Sequence, residues 1–220
     1  MYDFATLRQR MVDNQIRPSD VTDRELIRAF LSAPREIFVG PAERPFSYSD
    51  RALKLPASGG DRRMIDPVQL AQLVQALRLG PQSKAMVIGC GTGYSAAIMA
   101  RLAGTVIAVE EDEALAAFAD ARLRELGLGN ARVVRARLVE GCAEEAPYDA
   151  ILIDGAVEFV PDALMAQLKP DGRLAVIERQ ERISRAMLYE RVGPERARWP
   201  QFETWAALLP GFERKREFVF

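Results

Sequence analysis

The chain has 220 residues, 49% of them hydrophobic, with 30 basic against 31 acidic side chains and a net charge of -1. That length can bury a full core, and the balanced charge excludes a general electrostatic grip on nucleic acid or anionic lipid. Histidine is absent, which removes histidine-based triads, the usual neutral-pH general base and histidine metal ligands, so any chemistry here must need little proton transfer.

From the N-terminus, Phe4, Leu7, Met11 and Ile16 recur at helical spacing. Met1 to Gln15 is polar and charged, with no secretory core and no membrane-spanning run, which sets the expectation of a cytoplasmic protein. The stretch TDRELIRAFLSAP opens on a capping box from Thr22 to Glu25 and stops before Pro34, which predicts a second amphipathic helix. Residues Phe38 to Arg63 are rich in Pro, Gly and Ser and lack periodicity; a stretch so long is functional or mobile rather than a mere connection. Asp66-Pro67 then caps a helix expected to run to Leu79.

After Gly80 the rhythm becomes strand, helix, strand, helix. KAMVIG, TVIAVE, ARVVRA, YDAILID and RLAVIE read as strands, with YSAAIMARLAG, EALAAFADARLRELG and PDALMAQLKPDG as the helices between them. Apolar strands alternating with amphipathic helices predict an α/β, doubly wound, mostly parallel sheet covered on both faces. Two apolar stretches around Pro210-Gly211 suggest a closing antiparallel hairpin. The expected organisation is an N-terminal helical and loop extension, residues 1–80, covering the site, and one compact Rossmann-like unit, residues 81–220.

Open α/β sheets bind ligands at the carboxyl ends of their strands, and Gly89-Cys90-Gly91-Thr92-Gly93 lies between the first such strand and its helix. The dinucleotide fingerprint would need its third glycine at position 94, which is Tyr94, and the Gly-Lys-Ser/Thr ending of a phosphate loop is missing. What remains is a bend bare of side chains against which a ligand can lie near a helix N-terminus. Glu110 ends the apolar run VIAVE, where a carboxylate can accept both hydroxyls of a ribose. Loop and acid together indicate a nucleoside cofactor without a pyrophosphate. Arg62 and Arg63 read either as a solvated pair touching Asp61 or Asp66, or as a clamp for a substrate carboxylate. Cys90 and Cys142 read as small buried thiols, and Trp199 and Trp205 as core or interface packing.

These residues resemble the S-adenosylmethionine site of class I methyltransferases, and in particular the protein-L-isoaspartate O-methyltransferases. The similarity runs from about residue 8 to about residue 180, through RMVDNQIR (Arg10 to Arg17), APREIFV (Ala33 to Val39), YSDRALKLP (Tyr48 to Pro56), GCGTGYSAA (Gly89 to Ala97) and LKPDGRL (Leu168 to Leu174). It implies an enzyme that methylates a carboxylate of isoaspartyl peptides or proteins, with no nucleic-acid or membrane partner. It implies S-adenosylmethionine as cofactor, held by Gly89, Cys90, Gly91, Thr92, Gly93, Glu110, Glu111 and the position of Arg137. Such a carboxylate is already ionised at pH 7, so alignment and desolvation do most of the work and a histidine-free site is tolerable. The chain departs from the family pattern at Val87 and Arg137, where acids normally contact the cofactor, and at Ile65, where the family has its catalytic serine; Arg63 and Asp66 beside it are the other catalytic candidates. Those departures frame the alternative expectation of a non-catalytic homologue acting as a binding or regulatory protein, with weakened cofactor binding. A nicotinamide enzyme is the third reading, disfavoured by Tyr94.

Overall fold

The computed structural model describes residues 3–56, 61–180, 183–193 and 195–214. Helix α1 (Phe4–Met11) continues through a wider turn over Val12–Ile16, and α2 (Arg24–Ser32) packs beside it. Asp23, not Thr22, caps α2: its carboxylate accepts from the amides of Glu25 (2.9 Å) and Leu26 (3.1 Å). Thr22 instead donates its amide to Gln75 Oε1 at 2.8 Å, so a tertiary contact fixes which residue stands at the helix entrance. The aperiodic stretch that follows holds short single turns and two short strands, β1 (Leu53–Lys54) and β2 (Arg63–Met64), paired antiparallel. Asp66 then caps α3 (Pro67–Leu77), which stops two residues before the expected end at Leu79 because Arg78 takes the left-handed conformation.

From here the chain alternates strand and helix: β3 (Lys84–Ile88), α4 (Tyr94–Met99), β4 (Thr105–Glu110), α5 (Glu113–Glu125), β5 (Ala131–Arg135), β6 (Tyr148–Val157), α6 (Asp162–Ala166) and β7 (Leu168–Gln180). The strands β3 to β7 are parallel neighbours in the order β5-β4-β3-β6-β7. The period-2 alternation of each strand divides its side chains between two apolar clusters. Ala85, Val87, Ala108, Ala150, Leu152 and Ala175 face one side, where α3, α4, α5 and the N-terminal segment pack. Met86, Ile88, Ile107, Val109, Ile151 and Val176 face the other, covered by α6 and by residues near Leu209 and Phe212. The small residues on the first face let helices approach closely; the large ones on the second fill space that a single short helix leaves open.

The antiparallel strands at the C-terminal end are present but lie earlier than the sequence suggests. β8 (Ile183–Val192) pairs with β7, and β9 (Glu195–Glu203) pairs with β8 as the edge of a seven-stranded sheet. Their charged, Arg- and Glu-rich sequences hide the alternation that marks a strand. The segment around Pro210-Gly211 is not a hairpin among the described residues; it crosses the carboxyl end of β6, with Leu209 N–H donating to Ala156 O and Ala156 N–H to Ala207 O, both at 2.9 Å. Residues 215–220, the rest of the expected hairpin, lie outside the described residues. Trp199 and Trp205 are about half exposed (45% and 54%), so neither is a core residue.

The N-terminal segment joins the sheet domain through aromatic packing. Phe30 and Phe38, both fully buried, meet the ring of Tyr94 edge-on at centroid distances of 6.3 and 5.4 Å. Replacing Phe38 by Ala removes that contact and leaves a void at the junction, so we expect a loss of about 3 to 5 kcal/mol in urea unfolding with an unchanged denaturant slope. A loss below about 1 kcal/mol would show that the segment does not depend on this seam.

Candidate active site

The loop Gly89 to Gly93 leaves β3 at the point where neighbouring strands run to opposite sides, the crevice in which doubly wound sheets bind ligands. Gly89 and Cys90 anchor it by donating to the carbonyl of Val109 on β4 (2.9 and 3.2 Å), and Gly93 closes the turn onto Cys90 O (2.8 Å). Gly91 has φ near +55°, which strains any residue with a side chain, and a Cβ there would lie 2.7 Å from Leu55 Cδ1, which would have to shift.

Glu110 ends β4 with its side chain fully buried, and every direction around its carboxylate is used by the protein. Oε1 accepts from the amides of Glu111 (3.1 Å) and Asp112 (3.2 Å) and from Arg62 Nη1 (3.1 Å). Oε2 accepts from Gly91 N (2.8 Å) and Arg62 Nη2 (2.9 Å), and the same Nη2 lies 3.3 Å from Gly89 O. Arg62 is therefore not a solvated loop residue: its side chain is 9% exposed and forms a fork against the carboxylate. Arg63 is the partner that behaves as the solvated reading requires, donating to Asp61 at 2.9 Å while also lining the cavity beneath the loop.

That cavity, about 10 Å³, is bounded by Leu55, Arg63, Met64, the loop from Gly89 to Thr92, Tyr94 and Asp154. It has room for a single water, where a nucleoside-sized ligand needs roughly 300 Å³. The missing space is filled by Arg62, by Leu55 against Gly91, and by Leu209, whose methyls would lie 3.1 Å from a Cβ on Gly89. The polar lining, by contrast, suits a nucleoside amino acid. On lining residues, Asp154 Oδ1, Thr92 Oγ1 and Tyr94 OH are buried with no hydrogen-bond partner among the described residues, and Glu110, beside the loop through Gly91 N, presents the acid expected for a ribose. The donor set fits S-adenosylmethionine; the room for it exists only once Arg62 and its neighbours move.

Asp154, near the carboxyl end of β6, is the residue that sequence reasoning missed. Its signal was available, since AILID ends an apolar strand in an acid just as VIAVE does. Burial raises its pKa to about 6, against the opposing pull of the Ser95 hydroxyl and of Arg62 and Arg35. Arg35 is fully buried, stacks 4.6 Å over the Tyr94 ring and donates to Ile65 O at 2.7 Å; burial pulls its pKa down. Burial likewise pushes the Cys90 thiol well up, leaving an inert small side chain.

Of the remaining sequence candidates, Ile65 is buried in the apolar cluster and Asp66 caps α3 by accepting from Gln69 N at 2.9 Å. Glu111 accepts from Leu138 N (3.3 Å). Arg137 is turned to solvent and paired with Glu140 at 2.8 Å, away from the glycine loop's lining. Val87 is fully buried in β3 among the apolar side chains that face α3 and α4. Among the described residues no group of three potential ligand side chains is placed to hold a metal, and no helix is long and apolar enough to cross a membrane.

The family model described as protein-L-isoaspartate(D-aspartate) O-methyltransferase matches residues 6–198. A protein-L-isoaspartate O-methyltransferase of Koribacter versatilis is 36% identical over 173 residues, covering 79% of this chain and 77% of its own length. One of Syntrophobacter fumaroxidans is 35% identical over 196 residues, 89% of each chain. Among solved structures, a protein-L-isoaspartate O-methyltransferase superposes with a TM-score of 0.82 at 27% identity, over 93% of this chain and 66% of that one. A Plasmodium falciparum structure, titled as a putative protein-L-isoaspartate O-methyltransferase in complex with S-adenosyl-L-homocysteine, shares the fold with a TM-score of 0.75 at 16% identity, over 95% of this chain and 99% of that one.

Because the pKa of Asp154 is raised in the folded state, the native chain holds the proton more tightly than the unfolded chain between about pH 4 and pH 6, and stability falls as pH rises through that window. Asp154→Asn removes the buried charge. We expect the variant to be more stable than the native chain at pH 7.5, on the order of 2 kcal/mol in urea unfolding, with the difference shrinking as pH falls from about 6 to about 4. A variant no more stable at pH 7.5 would show that Arg62 and Arg35 already compensate the carboxylate in full.

Proposed function

The chain belongs to the protein-L-isoaspartate(D-aspartate) O-methyltransferase family of S-adenosylmethionine-dependent enzymes, and from this we propose that it methylates the free carboxylate of isoaspartyl residues in peptides and proteins. The observation that carries the reading is the bare glycine loop beside a buried Glu110 at the carboxyl end of the sheet. Relatives named for this activity cover most of the chain, and nothing among them supports a non-catalytic binding protein.

In this reading Gly89 to Gly93 form the bed for the cofactor, Glu110 accepts from its ribose and Glu111 flanks it. When bound, S-adenosylmethionine supplies an electrophilic methyl group on a sulfonium. The protein's task is then alignment, because the acceptor carboxylate is ionised at neutral pH and no base has to be found. Ile65 offers no hydroxyl, so orientation falls to cations at the mouth, of which Arg63 lines the cavity directly. Leu55, Met64 and Leu209 supply the apolar cover that keeps water from the transfer. The free thiols of buried Cys90 and half-buried Cys142 support a reducing, cytoplasmic setting.

Incubation with methyl-labelled S-adenosylmethionine and an isoaspartyl peptide should give a base-labile methyl ester, with the matching aspartyl peptide left unlabelled. Labelling of neither peptide would overturn the proposal. Labelling of both equally would remove the isoaspartyl specificity. In an Arg62→Gln background, where release of the arginine cannot offset the effect, Glu110→Gln should weaken S-adenosylhomocysteine binding at least tenfold in calorimetry, about 1.4 kcal/mol, because the ribose loses a charged acceptor.

A further inference from the structure

Arg62 holds the acceptors that the proposed cofactor site would present. Its guanidinium takes both oxygens of Glu110 and reaches Gly89 O, the floor of the glycine loop. Three backbone amides, those of Gly91, Glu111 and Asp112, take the remaining directions around the carboxylate, so no lone pair is left for a sugar hydroxyl. Arg62 and the cofactor's ribose cannot occupy Glu110 together. Without Arg62 the carboxylate is still held by those amides, so the arginine is not needed to keep Glu110 in place.

An arginine pulled off Glu110 would be a nearly buried cation without its partner, a costly state unless another anion meets it. Asp61 is already paired with Arg63. The acceptor of the proposed reaction is itself a carboxylate, and the Arg62–Glu110 fork is the geometry in which a guanidinium holds one. Arg62 sits next to β2, its carbonyl accepting from Leu55 N at 3.0 Å, on the same short ribbon that carries the cavity-lining Arg63 and Met64.

Building on the methyltransferase reading, we propose that Arg62 is an exchangeable plug: it lies on Glu110 in the closed site, is displaced by the cofactor's ribose, and is then held by the carboxylate of the acceptor peptide. Cofactor and acceptor therefore bind with positive coupling, and by linkage each strengthens the other by the same factor. Glu110 in the closed site stands where the acceptor carboxylate will stand with respect to Arg62.

The test is calorimetric titration with S-adenosylhomocysteine, which cannot turn over, with and without a saturating isoaspartyl peptide. For the native chain the peptide should tighten S-adenosylhomocysteine binding at least fivefold. Arg62→Gln should bind S-adenosylhomocysteine alone at least tenfold more tightly than the native chain, bind the peptide more weakly, and show no coupling. Arg62→Lys keeps the charge without the fork and should fall between the two, with melting curves confirming that each variant folds. Native binding of S-adenosylhomocysteine that is unchanged by Arg62→Gln would overturn the plug and leave the methyltransferase reading standing. A native chain and both variants that fold yet bind no S-adenosylhomocysteine at millimolar concentration would overturn both. If Asp154 rather than the acceptor takes up the displaced arginine, Arg62→Gln will tighten S-adenosylhomocysteine binding while the native coupling is absent, which overturns the hand-over.

Discussion

Glu110 is a carboxylate shut away from water at the end of a central strand, and much of the upper part of the molecule is arranged to surround it with hydrogen-bond donors. A bare carboxylate in that position would cost far more than its strand could return, so it must be surrounded by donors. The backbone supplies them from two sides: the glycine loop after β3 presents the Gly91 amide, and the turn into α5 presents those of Glu111 and Asp112. The same carboxylate thus joins two strand ends and a helix start, and it fixes the loop whose shape defines the site. Arg62 adds the charge that the amides lack, which draws the ribbon of β1 and β2 down over the loop.

That ribbon is held from its other side by the N-terminal segment. Tyr48 links Arg8 of α1 to Glu36, donating to the carboxylate while accepting from Arg8 Nε (2.9 Å) and from the amide of Arg35. Arg35 in turn reaches under the chain to Ile65 O and stacks on Tyr94, the first residue of α4. A continuous path of packed and hydrogen-bonded groups therefore runs from the first helix to the start of the glycine-loop helix. The anchors on either side of the ribbon are buried, whereas the contacts that close it over the site include, among the described residues, the Arg62–Glu110 ion pair, the bond from Arg62 to Gly89 O and the methyls of Leu55.

The opposite face shows how a sheet manages without full helical cover. The connection from β5 to β6 and the segment near Leu209 and Phe212 lie where a longer helix would otherwise pack, and α6 spans only Asp162–Ala166. Tyr148 donates to Cys142 O at 2.7 Å, and the Gln167 amide group bonds both Glu140 O (2.7 Å) and Cys142 N (3.1 Å), so side chains stand in for the backbone pairing that regular structure would supply. Leu209, part of that cover, also bears on Gly89 and Gly155, and so the second face contributes to closing the site as well as to the core.

The alternation of apolar residues in KAMVIG, TVIAVE and YDAILID, with the amphipathic segments between them, was enough to place the parallel strands, because a strand buried on both faces can be built from little else. The glycine loop and Glu110 were legible for a similar reason: glycines at alternate positions and an acid ending an apolar run are local statements about backbone shape and burial. The capping residue of α2, the strands β8 and β9, and the path of the chain through Pro210-Gly211 were not, since each depends on a partner distant in sequence: Gln75 for Thr22, β7 for β8, and the end of β6 for Leu209. The site divides along the same line. Sequence by itself determined the fold class, the position of the glycine loop and the acid beside it, all of which follow from short-range pattern. Only the tertiary structure decided that Arg62 lies on Glu110, that Asp154 is buried beside the loop and that Arg137 faces solvent, because the state of a charged side chain is set by which other charges and how much water the fold brings within reach of it.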